Sequence, residues 1–501
     1  MASSAPVREW TKEEVSSHRS ASDCWLIVSA RVYDVTDFLA RHPAGARIIQ
    51  LHGGRDCTSA FLDVHSESYL TQFLPPAAFK GVLAGSGVKS APAKPFVGRY
   101  WQPDEVLSVK RTVFQPEHEE YRKQFRAFIT KHVHPVYAKW EQQGQPDISV
   151  LRELVKEGFY LRFAIPKQFG GLGLTDWRYS AVVTEELENA DVGSFFLNLG
   201  NDMVLSYFTK SATPEQQARW LPKIVKEGSV IAIAMSEPEL GSDLATLRTT
   251  AKRSADGQTY ELTGRKMWIS AGATADLAVI SAVTDASKGA RGISLFVVEK
   301  GTAGFESAKR FAKAGKHASD TCLLTLDKVV VPAANLLGKE GEGFKYMMSN
   351  LSKERLSIAI GSVAAARRAL ALTLNYIHGR QMFGGVTADL QSVQQKCAQM
   401  RLDIQVATTF VDQCITAQAE NSLSADTASM AKVLATELAS RVADQCLQLY
   451  GGYGYLKQNP VAKIWADQRV TRIYGGANEV LLEVAGKGLG FRPQRMHRSK
   501  L

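Results

Sequence analysis

From Leu390 onward the apolar residues fall at Leu390, Val393, Cys397, Met400, Ile404, Ala407, Val411 and Cys414, a spacing of 3, 4, 3, 4, 3, 4 and 3. A chain that turns every ~3.6 residues lines such positions up on one side, so a long helix with a continuous apolar seam is expected. That seam needs helical partners along its whole extent, which makes a four-helix bundle the simplest architecture for residues 341–490. The preceding segment has a different character. Ile231-Ala232-Ile233-Ala234-Met235, Tyr260-Glu261-Leu262-Thr263, Leu277-Ala278-Val279-Ile280 and Ser294-Leu295-Phe296-Val297-Val298 are strand-like runs separated by Gly, Asp and Ser turns. They predict a β unit over 231–340. Residues 101–230 are mainly helical by period, with helices expected over 117–132, 148–157 and 179–189.

Residues 8–85 read as a compact unit of their own. Cys24-Trp25-Leu26-Ile27-Val28 and Arg31-Val32-Tyr33-Asp34-Val35 suggest short strands. Arg41-His42-Pro43-Ala44-Gly45 precedes one helical stretch, and Asp63-Val64-His65-Ser66 follows a second. Residues 86–100, rich in small residues and proline, suggest an interdomain linker. A multidomain chain fits the length of 501 residues.

Composition excludes several classes. The six cysteines are scattered without CxxC pairs, which argues against a disulfide framework or a zinc site. No run approaches the ~18 apolar residues of a membrane span, and the N-terminus has no apolar core of a secretory signal. The net charge of +10 comes without a long basic block or a basic-aromatic stripe, so a solvated basic surface is expected rather than nucleic-acid binding. The C-terminal Ser499-Lys500-Leu501 reads as a peroxisomal address for an import receptor.

His42 and His65 each stand at the edge of a short helix. Two such imidazoles can fill both axial positions of a haem iron, although spacing alone leaves ordinary surface or core roles open and His52 as a rival ligand. The segments WLIV, VYDVTDFLARHPAG, GGRDCTSAF and DVHS resemble the cytochrome b5 family across this unit. The resemblance implies a small α+β domain in which His42 and His65 ligate haem b, and one-electron transfer. Ala44 departs from the family's usual glycine.

A second resemblance covers about 101–490. Ala234-Met235-Ser236-Glu237-Pro238 with Gly241-Ser242-Asp243, then Lys266-Met267-Trp268-Ile269-Ser270, Arg380-Gln381-Met382-Phe383-Gly384, Gln448-Leu449-Tyr450-Gly451-Gly452 and Tyr474-Gly475-Gly476 follow in the order of the acyl-CoA dehydrogenase family. The resemblance implies a helical N-terminal domain, a β-barrel-like middle domain and a C-terminal four-helix bundle, with FAD and an acyl-CoA substrate. It puts Met235, Ser236 and Ser270 on the polar edge of the flavin and makes Trp268 its wall. Ser242, Arg355, Tyr474 and Gly475 are implied at the substrate. A neighbouring subunit would grip the rest of FAD through Arg380, Phe383 and Gln391 and through Gln448, Gly451 and Gly452, with Asn478 also on the cofactor. A homo-oligomer, dimer or tetramer, follows from that arrangement.

Many family members carry the catalytic base directly after the tyrosine of the last motif. This chain has Gly475 there. A subset similar to the long-chain and isovaleryl-CoA enzymes carries it on the bundle helix, a position that falls here on Glu354 in Leu351-Ser352-Lys353-Glu354-Arg355. Glu479 is the nearest rival carboxylate. The expected function is oxidation of an acyl-CoA to a trans-2-enoyl-CoA, with the haem unit as a possible relay of electrons. The alternatives are a relative acting on a non-CoA substrate such as a nitroalkane, and a non-catalytic electron-transfer or scaffold protein.

Overall fold

The helix Gly343–Ile377 carries the C-terminal region, and almost every side chain from Glu354 to Tyr376 is buried in it. Gln391–Ala419 and Ala425–Leu449 pack along it, and Pro460–Arg469 and Asn478–Gly488 complete the region. A computed structural model describes residues 7–42, 46–62, 70, 74–88 and 101–491. The seam is where its spacing puts it. Val393, Met400, Ile404, Ala407, Val411 and Cys414 are buried, Cys397 is half-buried, and only Leu390, at the helix N-cap, is exposed.

Gly343–Ile377 is the one helix among the described residues long and apolar enough to cross a membrane, with a mean hydropathy of 1.3 in an 18-residue window. This corrects the expectation that no stretch comes near that composition. Of that window, 94% is buried within the protein, which marks a core helix.

The middle region is a curled seven-stranded sheet in the order Ile293–Glu299, Leu277–Val283, Thr250–Arg253, Thr259–Ile269, Cys322–Pro332 and Phe305–Arg310. Ile231–Ala234 pairs in parallel with Leu277–Val283. The four expected strand runs are present. Thr250–Arg253, Phe305–Arg310 and Cys322–Pro332 are additional. Their polar residues alternate with apolar ones, the pattern of a half-wet strand, which a search for continuous apolar runs passes over.

The helical region preceding the sheet contains Ile148–Glu157 and Arg178–Asn189 as expected. The expected helix over 117–132 is instead Pro116–Phe128, a π-helical turn Ile129–Val133 and a further helix His134–Gln143. Pro135 in its first turn removes an N–H that a regular helix would use, so the chain restarts there. A charged knot ties this region to the bundle. Glu185 on Arg178–Asn189 accepts Arg111 at 2.7 Å, Arg122 at 3.0 Å and Arg367 of the long helix at 3.2 Å.

In the first unit Asp23–Val28, Arg31–Asp34 and Phe79–Leu83 form the sheet, with helices Ala46–Gln50 and Thr58–Leu62. Leu26, Val28, Tyr33, Leu39, Ile49, Leu70 and Leu74 make its larger core. Of the linker, residues 86–88 are described; His65 and Ser499-Lys500-Leu501 lie outside the described residues.

Candidate active site

Two stretches far apart in the sequence, around Glu354 and Gly475, meet at the long helix. Glu354 and Ile358 lie one turn apart on the same face of Gly343–Ile377. Gly475 comes against that face: a Cβ built on it would stand 2.3 Å from Ile358 Cδ1. Gly475 also has φ +65°, a conformation that disfavours any side chain. A side chain at position 475 would have to displace the end of Ile358 and hold a backbone conformation that favours glycine.

Glu354 is 7% exposed, and its Oε1 is buried with no hydrogen-bond partner. Burial raises its carboxyl to about 7, with Arg355 pulling the other way. Loss of hydration makes the proton-bound form cheaper to hold, which turns a weak base into one matched to neutral pH. Arg355, the next residue, leaves on a different side of the helix and donates to Ser429 Oγ at 3.1 Å.

A buried polar frame holds the glycine loop. Lys432, inside Ala425–Leu449, donates to the Gly476 carbonyl at 2.9 Å and to Asn478 Oδ1 at 2.8 Å. Asn478 Nδ2 donates to Thr436 Oγ1 at 3.0 Å and Glu437 Oε1 at 2.8 Å, and Arg472 donates to the same Glu437 oxygen at 2.8 Å. The side chain of Asn478 is thus engaged with the bundle, and what it leaves toward a cofactor is its backbone at a helix N-terminus. Burial, then Arg355, lowers the Lys432 amine to about 8.

The other wall comes from the sheet. Ser236 O accepts Met267 N–H at 2.9 Å, so the Met235-Ser236 strand end lies alongside the Lys266–Ser270 strand end. Trp268 stands 58% exposed with φ +64°, its ring 4.8 Å from Phe311. Ser270 Oγ lies 3.4 Å from Thr321 Oγ1. The connection 311–321 links the two walls. Phe311 packs on Trp268, while Lys316 N–H donates to Asp467 and Lys316 Nζ to the Gly193 carbonyl at 2.6 Å and to Glu188 at 3.2 Å. Tyr474 lies in the field of Lys316, Glu188 and Asp467. Ser242 is exposed on the loop after Glu237.

Arg380, Phe383, Gln391, Gln448, Gly451 and Gly452 are all exposed. The Arg380 guanidinium lies 5.8 Å over the Tyr453 ring, which brings the two stretches together. Phe383 and Tyr455 are each 90% exposed, an arrangement suited to a surface that another subunit covers.

These features fit a flavin. A large apolar ring stands free as a wall, a strand end offers backbone polar groups beside it, and an orphaned carboxylate waits opposite an opened glycine. For haem the described half also fits. His42 caps the 3₁₀ turn Thr36–Arg41, half-buried, with its ring edge-on to Phe38 at 6.0 Å, and Phe38 packs on the apolar cluster that includes Leu39, Ile49 and Leu74.

Lys316 and Lys432 at this site are not marked by any motif, and Glu237 and Lys266 stand within motifs that assign them no role. Lys432 had a signal. It lies on the buried stripe of Ala428, Ala431, Ala435 and Ala439, where a lysine is retained only if its amine finds acceptors.

Residues 115–228, 232–329 and 341–490 match the N-terminal, middle and C-terminal domains of acyl-CoA dehydrogenase, and residues 11–84 match the cytochrome b5-like heme/steroid binding domain. The chain is 38% identical over 379 residues to the mitochondrial long-chain specific acyl-CoA dehydrogenase of Rattus norvegicus, which covers 75% of this chain and 87% of the relative. A crystal structure of acyl-CoA dehydrogenase from Geobacillus kaustophilus is 40% identical, with a TM-score of 0.73 over 75% of this chain and 99% of that one. A glutaryl-CoA dehydrogenase from Mycobacterium smegmatis in complex with FADH2 is 25% identical, with a TM-score of 0.71 over 79% of this chain and 100% of that one. The chain belongs to the acyl-CoA dehydrogenase family of FAD-dependent oxidoreductases, with a cytochrome b5-like domain at its N-terminal side.

Proposed function

We propose that this chain oxidises an acyl-CoA thioester between its α- and β-carbons, giving the trans-2-enoyl-CoA, with Glu354 as the base. The observation that carries this reading is the orphaned, buried Glu354 carboxylate on the helix face that Gly475 packs against. The Tyr474 N–H is donated to the Val470 carbonyl at 3.2 Å, which leaves the Gly475 N–H to polarise the thioester carbonyl and acidify the α-carbon. Glu354 takes the α-proton as the electron pair of that C–H bond moves into the new double bond. FAD, held by Met235, Ser236, Trp268 and Ser270 and by the Arg380 and Gln448–Gly452 surface of a second subunit, supplies the acceptor for the hydride leaving the β-carbon. The buried frame of Lys432 and Asn478 keeps Gly475 in register with the helix throughout.

His42 and His65 would hold haem b, which would supply a one-electron carrier on the same chain as the flavin domains. The test is anaerobic mixing of the holoenzyme with a panel of acyl-CoAs. The expected result is flavin bleaching followed by the absorbance of reduced haem. Bleaching without any reduced-haem band would rule out transfer within the chain, and absence of bleaching with every thioester would rule out the substrate class.

Ser499-Lys500-Leu501 would direct this chain to the peroxisome. Removing residues 499–501 is expected to leave the protein outside peroxisomes in fractionated cells. Unchanged co-sedimentation with peroxisomal markers would refute the address.

A further inference from the structure

Behind the strand end that faces the flavin lies a fully buried ion pair. Lys266 Nζ donates to Glu237 Oε1 at 2.9 Å, to Ser281 Oγ at 3.1 Å and to the Met235 carbonyl at 3.2 Å. Three donors meet three acceptors, so the ammonium is satisfied. Glu237 is equally engaged. It accepts Thr249 N–H at 2.9 Å and Arg248 N–H at 2.8 Å. An ion pair in a sheet core costs desolvation and is weak as a source of stability, so its presence calls for another reason.

The reason is legible in the peptide planes. The Ala234 carbonyl accepts Ser281 Oγ–H at 3.2 Å, the Met235 carbonyl accepts Lys266, and the Ser236 carbonyl accepts Met267 N–H at 2.9 Å. In a trans peptide the C=O and the next N–H point in opposite directions. The Glu237 N–H obeys this and turns away to the Leu240 carbonyl at 2.9 Å. By the same geometry, drawing the Met235 carbonyl into the core aims the Ser236 N–H outward, toward the ligand side.

We propose that Lys266 is a positioning residue that aims and polarises the Met235–Ser236 peptide, so that its N–H favours the electron-rich reduced flavin over the oxidised one. A cation on a carbonyl oxygen makes the N–H of the same peptide a stronger donor. A stronger donor gains more as negative charge accumulates on the ring, which raises the flavin reduction potential. This inference rests on the reading of Met235 and Ser236 as flavin contacts.

The test is the midpoint potential of the flavin in the holoenzyme, measured for wild type, Lys266→Met and the double variant Lys266→Met with Glu237→Gln. The double variant leaves no lone charge in the core, which keeps the measurement available where the single one fails to fold. Both are expected to lose about tenfold in preference for reduced over oxidised FAD, a fall of about 30 mV for a two-electron couple. A folded double variant with the wild-type potential would overturn the inference alone and leave the functional reading intact. A wild-type chain that cannot be loaded with FAD would overturn both.

Discussion

Glu354→Gln is expected to cut acyl-CoA-driven flavin reduction about 10²–10⁴-fold, the usual contribution of a positioned general base. FAD content and thioester binding should stay near wild type, because the amide keeps the shape of the carboxyl. In the wild type the rate should rise with pH through about 7, where the buried carboxyl loses its proton. That rise should vanish in Glu354→Gln. Stability separates this from a folding defect. The Glu354 pKa is raised from 4.5 to about 7, so above pH 4.5 the folded state holds its proton against solvent and loses stability as pH climbs to 7. The neutral amide does not titrate, and the variant should melt no lower than wild type at pH 8. Rapid-reaction spectrophotometry and thermal melts check both arms. A reduction rate within twofold of wild type would remove Glu354 from the chemistry.

Glu185→Ala is expected to cost about 3 kcal/mol, the low end for breaking a buried pair, because the arginines lose their shared counter-charge and keep Asp412, Glu186 and Asp104. Arg111, Arg122 and Arg367 come from three parts of the chain and meet on this one carboxylate. Burial alone would raise its pKa, yet Arg111, Arg367 and Arg122 hold it at about 2. With the folded value depressed below 4.5, the stabilisation is complete above pH 4.5 and is lost as pH falls through about 2. Denaturant unfolding at pH 7 should show the full loss in Glu185→Ala, and the gap to wild type should close in acid. A loss below about 1 kcal/mol at pH 7 would mean that the knot behaves as a surface pair.

Much of this architecture is legible because it is repetitive. The seam from Val393 to Cys414 obeys one period for about six turns, and the apolar strand runs of the sheet stand out against their turns. Cys322–Pro332 is harder to see, since Thr325, Asp327 and Lys328 interrupt its apolar residues and only pairing with Thr259–Ile269 explains them. The candidate base, Glu354, is legible only through a vacancy, the glycine at position 475. The structure adds the physical reason, the contact between Gly475 and Ile358, which no spacing rule contains. The roles of the supporting lysines are hidden for the same cause. Lys266 sits inside a motif that was read for its tryptophan, and its partners Glu237, Ser281 and Met235 are brought to it only by strand pairing.

Removal of the α-proton, the step proposed for Glu354, can be isolated from hydride transfer with a 3-thiaacyl-CoA, whose β-position is sulfur and has no hydride to give. In deuterium oxide the wild-type holoenzyme should exchange the α-hydrogens of the bound thioester, with a rate that rises with pH through about 7. Glu354→Gln should bind the same thioester and leave its α-hydrogens in place. Exchange by Glu354→Gln at the wild-type rate would contradict the account.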